Sequence, residues 1–171
     1  MSNKGFYTVP FVWNKTLWVI TFLFFILWIG LSAFMLYVIF TKTDNVDDIV
    51  SLIVLNLVML PTMIACEGLA PQRLEIGEDR IVILRRYTSV VINRSEIKSV
   101  QALSKSDFSG AVRTFGVGGL FGFFGHYHSN KLGSFRLYAT SFENLFLVKL
   151  WNGKSIVFSC SEPDKMHSYL N

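Results

Sequence analysis

His126 and His128 flank Tyr127, and of all residues in the chain their types and spacing come nearest to ligand chemistry. On a strand, alternate residues share a face, so both imidazoles would point the same way. A zinc site needs three or four ligands. His167 and Cys160 are the further candidates, and nothing sets their distance, so no metal site is expected. The segment Gly116-Val117-Gly118-Gly119-Leu120-Phe121-Gly122 has the glycine density of a nucleotide loop. It lacks the Gly-Lys-Ser/Thr ending, and no strand–turn–helix context with a downstream acid surrounds it. No nucleotide or other cofactor is expected. No Ser-His-Asp order, paired carboxylates or Cys–His pair stands out, and Asp107 and Glu143 have no fixed relation. The chain is expected to be no enzyme and to bind no nucleic acid.

The glycine-rich segment carries two open readings. Glycines permit bulges, bends and close backbone approach in a curling strand, and Phe115, Phe121, Phe123 and Phe124 would then divide between a barrel core and an exposed loop. Alternatively the phenylalanines form an exposed aromatic loop that dips into a bilayer or meets a partner. On that reading the candidate binding residues are Phe115, Phe121, Phe123, Phe124 and Tyr127, with Arg85, Arg86 and Arg113 as the nearby cations.

Such residues need elements to hold them, and the strongest element is apolar. Leu17 to Phe40 has about two dozen residues and no charge. At 1.5 Å per residue it crosses a hydrocarbon core of roughly 30 Å. Lys15 and Lys42 mark its ends, with Trp13, Trp18 and Tyr37 at interfacial depth. Its length exceeds a signal-peptide core, and Phe40-Thr41-Lys42-Thr43 offers no cleavage site. Ile49 to Cys66 is a second uncharged run, with Asn56 and Pro61 inside it. In a two-helix hairpin Asn56 can face the first helix, and the carbonyl freed by Pro61 can be satisfied locally.

Charge sets the expected orientation. Lys4 and Lys15 precede the first span, Arg73, Arg80, Arg85 and Arg86 follow the second, and the connecting loop holds one lysine among three aspartates. The positive-inside rule places both termini in the cytoplasm. The expected location is the inner (plasma) membrane, with a cytoplasmic segment over 1–15, a transmembrane hairpin over 16–67 (spans 17–40 and 49–66) and a cytoplasmic domain over 70–171. Cys66 and Cys160 then read as free thiols in a reducing compartment.

From Ala70 onward the pattern becomes period two with turn signals. Arg73–Ile76, Ile81–Leu84, Ser89–Ile92, Ile97–Leu103, Phe135–Ala139, Leu145–Leu150 and Ile156–Phe158 all fit strands. Trp151-Asn152-Gly153-Lys154 predicts a type I′ hairpin turn. Ser161-Glu162-Pro163-Asp164 predicts a helix start, with about two turns following. The expected fold is α+β, mainly β: an N-terminal helical hairpin, then an antiparallel barrel or strongly bent sheet with a short C-terminal helix.

Arg113 to Gly122, Phe124-Gly125, Phe135 to Thr140 and Ser159 to Asp164 carry a resemblance. Together they resemble the bacterial pleckstrin-homology (PH)-like family of membrane-anchored proteins, over about 100 residues from Arg73 to the end. The order is similar too: spans, a sheet opened by an I-x-x-D-R-I hairpin (Ile76 to Ile81), a glycine-rich middle, and a serine-proline ending. The resemblance implies a PH-like fold and no particular activity. PH domains that grip inositol phosphates use basic residues around the first hairpin, whereas here that turn is Gly77-Glu78-Asp79. Specific phosphoinositide recognition is therefore not expected. From Glu67 onward there are 13 basic and 9 acidic residues, a balance that favours an anionic leaflet at about 1 kcal/mol per basic residue near the surface.

Two functional readings follow. The first is a membrane-anchored, non-enzymatic binding module that docks a protein segment, along an open sheet edge or beside the helix, or lies on the inner leaflet. The second is a structural subunit that self-associates into a homo-oligomeric scaffold, packing through Asn56, Gly30 with Ser32 and Ala33, and the aromatic loop.

Overall fold

A computed structural model of the chain describes residues 7–42 and 46–170. It begins with strand β1 (Tyr7–Pro10), followed by helices α1 (Lys15–Lys42) and α2 (Val46–Leu69). Asn14 starts α1, its side-chain oxygen accepting the Leu17 N–H at 2.8 Å, as an N-cap does. Asp47 and Asp48 occupy the first turn of α2, where negative charge complements the helix dipole. Both helices are long and apolar enough to cross a membrane, and only 6% and 11% of their most apolar windows is buried. A core helix of a soluble protein would be mostly covered. Asn56 satisfies its amide on the Leu52 carbonyl of its own helix, at 2.9 Å.

Nine of the ten described strands and two short α-helices come from residues 71–170: β2 (Pro71–Ile76), β3 (Arg80–Arg85), β4 (Ser89–Asn93), β5 (Ile97–Leu103), α3 (Lys105–Phe108), β6 (Val112–Gly118), β7 (Phe123–Ser129) and β8 (Gly133–Ala139) lead to β9 (Leu145–Leu150), β10 (Ser155–Ser159) and α4 (Pro163–Leu170). They form two open sheets, ordered β1-β2-β3-β4 and β5-β9-β10-β8-β7-β6. The barrel form of the expectation is not adopted, because neither sheet closes on itself. The expected mainly β region with two preceding apolar helices and a short final helix is what the chain forms.

The middle strands of the six-stranded sheet, β7 to β10, carry buried residues on both faces. Phe124, Tyr138, Phe146, Val148, Ile156 and Phe158 pack towards the first sheet, joined by Met166 of α4. Phe123, Tyr127, Phe135, Leu137, Leu147 and Val157 point the other way, onto Leu17 of α1. Strands covered on both sides lose alternation and read as continuous apolar runs, which is why Leu145 to Val148 is apolar throughout.

Two details depart from expectation. β10 lies parallel to β8, Val157 opposite Leu137, because the 140–144 connection steps past one strand position and the β9–β10 hairpin fills the gap. The turn of that hairpin is not type I′. Only Gly153 has positive φ, at 82°, and its N–H bonds the Leu150 carbonyl at 3.1 Å. The Asn152 side chain instead accepts from the Lys154 N–H at 3.0 Å, giving a three-residue loop that ends in a left-handed glycine.

Candidate functional site

The glycine-rich segment meets the first helix. β6 ends at Gly118, and the turn through Gly119 to Gly122 lies against α1. The Thr21 hydroxyl, buried, donates to the Gly119 carbonyl at 3.3 Å and accepts from the Phe121 N–H at 3.4 Å. Phe121 adopts a left-handed φ of 58° and packs edge-on against Trp13 and Phe25, at 6.1 and 6.2 Å between ring centroids. A Cβ on Gly119 would stand 3.0 Å from Ile20. The domain thereby covers one face of the first two turns of α1, at Leu17 and Thr21.

The second helix is fixed just as closely. Glu67 pairs with Arg86 at 2.6 Å, the Tyr87 N–H bonds the Gly68 carbonyl at 3.3 Å, and the Tyr87 ring lies where a side chain on Gly68 would go. The β3–β4 turn therefore caps the end of α2. β1 adds a further tie, pairing antiparallel with β2, Thr8 opposite Glu75. The strand before the first helix and the strand after the second belong to one sheet.

Between these attachments opens a cavity of about 650 Å³. β3 supplies Arg85, β6 supplies Arg113 to Val117, β7 supplies Phe124 to His126, β8 supplies Arg136 and Tyr138, and Leu69 ends α2 at its rim. It sits on the inner face of the six-stranded sheet, where β6, β7 and β8 run past the cover of the first sheet. Register explains the grouping. Phe115 lies opposite His126, and His126 opposite Arg136, so the three form one row across the sheet. All three are exposed, Phe115 at 76%.

The electrostatics of this cavity are one-sided. Three arginines and a histidine line it, with no carboxylate. The Arg85 guanidinium lies over the Tyr138 ring, 5.5 Å from its centroid, while its buried Nε has no hydrogen-bond acceptor among the described residues. Arg113 runs along β6 so that its guanidinium covers Gly118. Its charge partly offsets the upward push that burial gives the Tyr127 phenol.

The expected site residues therefore divide. Phe115, Phe124, Arg85 and Arg113 come together at the cavity. Arg86 is engaged by Glu67, Phe121 by α1, and Phe123 and Tyr127 are buried on the opposite face, Tyr127 stacked on Phe135 at 6.0 Å. The phenylalanines thus divide, with Phe123 and Phe124 buried and Phe115 exposed. Arg136, Tyr138, Leu69 and His126 as a cavity residue were not foreseen. The signal for Arg136 was present: it is the one charge in Phe135–Ala139, and its face becomes known once β7–β8 register is known.

A second cavity, of about 340 Å³, lies beside Trp13, Thr140 and Cys160. Burial pushes the Cys160 thiol up, and the thiol donates to the Glu162 carbonyl at 3.3 Å, so it is held as a protonated, weakly nucleophilic group. Asp107 and Glu143 stand near Lys131 and Lys105 respectively, each at 3.9 Å. Among the described residues no group of three His, Cys, Asp or Glu could hold a metal ion; the side chain of His167 lies outside them.

Residues 72–171 match the family model described as a bacterial PH domain. No curated protein and no solved structure matches the chain.

Proposed function

As this chain belongs to the bacterial PH domain family, we propose that it is a membrane-anchored, non-catalytic binding module. α1 and α2 hold its domain at the inner-leaflet surface, and the cavity of Arg85, His126 and Arg136 is its docking site. The division into a cytoplasmic segment over 1–15, a hairpin over 16–67 and a domain over 70–171 is part of the proposal. So is the plasma-membrane location with both termini cytoplasmic.

The observation that carries this reading is the fixed seat of the domain on its anchor. Paired strands lie on one side of a bilayer, so the β1–β2 ladder supports an even number of crossings between them. Thr21, Phe121, Gly68 and Tyr87 then set the orientation of the domain against the helices. The 28 residues of α1 run about 42 Å, and from Phe22 onward about 31 Å remain, enough for the roughly 30 Å core. One face of the first turns of the 17–40 span, at Leu17 and Thr21, is thus covered by protein, and the rest of the span faces lipid. The basic flanks choose the cytoplasmic side.

The test places a photoreactive residue at Phe115 of the full chain in native membranes. Adducts with a foreign polypeptide or with lipid support the module. Only self-adducts, in a ladder of fixed size, overturn it in favour of a homo-oligomeric scaffold.

A further inference from the structure

We propose that the cavity between β3, β6, β7 and β8 binds the phosphate of an anionic phospholipid drawn from the leaflet in which α2 ends. This rests on the reading of the chain as a membrane-anchored module and names the ligand of its site.

The donor set selects an oxyanion. Guanidinium groups present forked N–H donors that match phosphate oxygens in a bidentate way. Arg136 and His126 stand side by side on β8 and β7, and Arg85 enters from the opposite sheet with its Nε lacking an acceptor. No carboxylate on the lining competes for them. Guanidinium charges so placed in a partly enclosed space call for a counter-charge.

The apolar part of the lining selects the source. Leu69 is the last residue of α2, so the rim at Leu69 lies where that helix leaves the hydrocarbon. Val117 and Phe124 continue the apolar wall inward, and Phe115 stands exposed beside it. A soluble anion would use the arginines and leave this wall unused. A phospholipid uses both, its phosphate among the arginines and its glycerol and upper acyl segments along Leu69, Val117 and Phe115. The site is also distinct from the first hairpin turn, Gly77-Glu78-Asp79, which contributes nothing to the lining. An acidic peptide added to the free edge of β6 is the rival occupant. It would gain nothing from a rim at the end of a membrane helix.

The experiment uses the full chain in nanodiscs of phosphatidylcholine, with and without phosphatidylglycerol, and reads retained lipid by native mass spectrometry after release into detergent. Phosphatidylglycerol should be retained over phosphatidylcholine, and Arg136→Gln and Arg85→Gln should each lower retention about tenfold, the scale of one charge-assisted hydrogen bond. Lys149→Gln, the same charge change at the one exposed position of β9, should leave it unchanged. Arg136 is exposed, so Arg136→Gln remains informative should Arg85→Gln fail to fold. Equal retention of both lipids overturns the inference, as does equal loss in Lys149→Gln and Arg136→Gln. Titration with inorganic phosphate in phosphatidylcholine discs separates the sources: saturable phosphate binding without phosphatidylglycerol retention assigns the cavity to a free anion and overturns the lipid. Foreign-protein adducts at Phe115 without lipid preference overturn the lipid alone and keep the module. Self-adducts alone overturn both.

Discussion

Gly116 and Gly125 face each other across β6 and β7, both at positive φ, 125° and 128°. The two backbones approach so closely that a Cβ on Gly125 would press on the Phe115 carbonyl oxygen and stand 2.7 Å from the Gly116 Cα. No side chain fits there, and no L-residue adopts that φ without strain. The pair lets the hairpin bend so that Phe115 turns outward while Phe124 stays in the core.

Gly125→Ala should therefore destabilise the domain by roughly 3 kcal/mol, combining backbone strain with a clash against rigid backbone. Gly110 supplies the control. It too has positive φ, at 78°, but a Cβ there meets nothing within 4 Å, so Gly110→Ala should cost only the backbone strain, about 1–2 kcal/mol. Thermal unfolding of the full chain in detergent, followed by near-ultraviolet circular dichroism, ranks the two. Equal shifts would mean that the cross-strand approach is not made.

Thr21→Val keeps the shape of a buried side chain but removes the hydroxyl that serves both Gly119 and Phe121. Loss of the pair should cost about 1–2 kcal/mol locally. Amide hydrogen exchange should rise about tenfold at Phe121 and its neighbours, with β9 and β10 unchanged. Thr21→Ser, which restores the hydroxyl, should restore protection. Unaltered exchange in Thr21→Val would detach the loop from α1.

Helix propensity and packing oppose one another at Gly68. In an exposed helix, Gly→Ala stabilises by about 1 kcal/mol. Here the Tyr87 ring occupies the space a methyl needs, so Gly68→Ala should destabilise instead. Combined with Tyr87→Ala it should be neutral or better, a coupling that a double-mutant cycle in thermal stability measures. Additive effects would show that α2 and the β3–β4 turn do not touch.

How much of this was legible in the sequence follows from where burial lies. β2 to β5 and β8 to β10 announce themselves through β-branched alternation or, at Leu145 to Val148, through an apolar run that two-sided burial explains. β6 and β7 were hidden because Gly116, Gly118 and Gly125 erase the period. β1 is four residues whose partner lies beyond both helices, and no local pattern encodes a pairing at that separation. The helical hairpin was plain from charge and length alone. The cavity was half legible: Arg85, Arg113, Phe115 and Phe124 stood out by type, whereas His126 and Arg136 gain meaning only from the register that puts them in one row.

The Asp107 carboxylate should show an acid-shifted titration. The Ser104 hydroxyl and then the Ser104 N–H donate to it, with Lys131 nearby, and together they hold its pKa below the usual carboxylate range. A depressed folded value means that the stability it contributes is full above the ordinary carboxylate pKa and is lost as pH falls through the folded value. Carbon-detected NMR of the side-chain carboxyl checks the shift directly. In Ser104→Ala the titration should move back towards the ordinary range, and failure to move would remove the capping interaction as its cause.

The β1–β2 ladder makes the sharpest claim about topology, because Thr8 and Glu75 are register partners on either side of two helices. Introduced cysteines at these positions, Thr8→Cys with Glu75→Cys, should be joined by a short bifunctional maleimide in intact membranes. The native Cys66 and Cys160 are first replaced by serine, so that every product comes from the engineered pair. Linkage within one chain, read as a mobility shift that survives dilution, requires both strands on one side of the bilayer and in contact. A partner on the far edge, Thr8→Cys with Val91→Cys, should react far less, since β2 and β3 lie between. Were the N-terminal segment on the opposite side, neither pair would link, while each single cysteine would react with impermeant maleimide from a different side. That result would remove β1 from the sheet and the fixed seat of the domain with it.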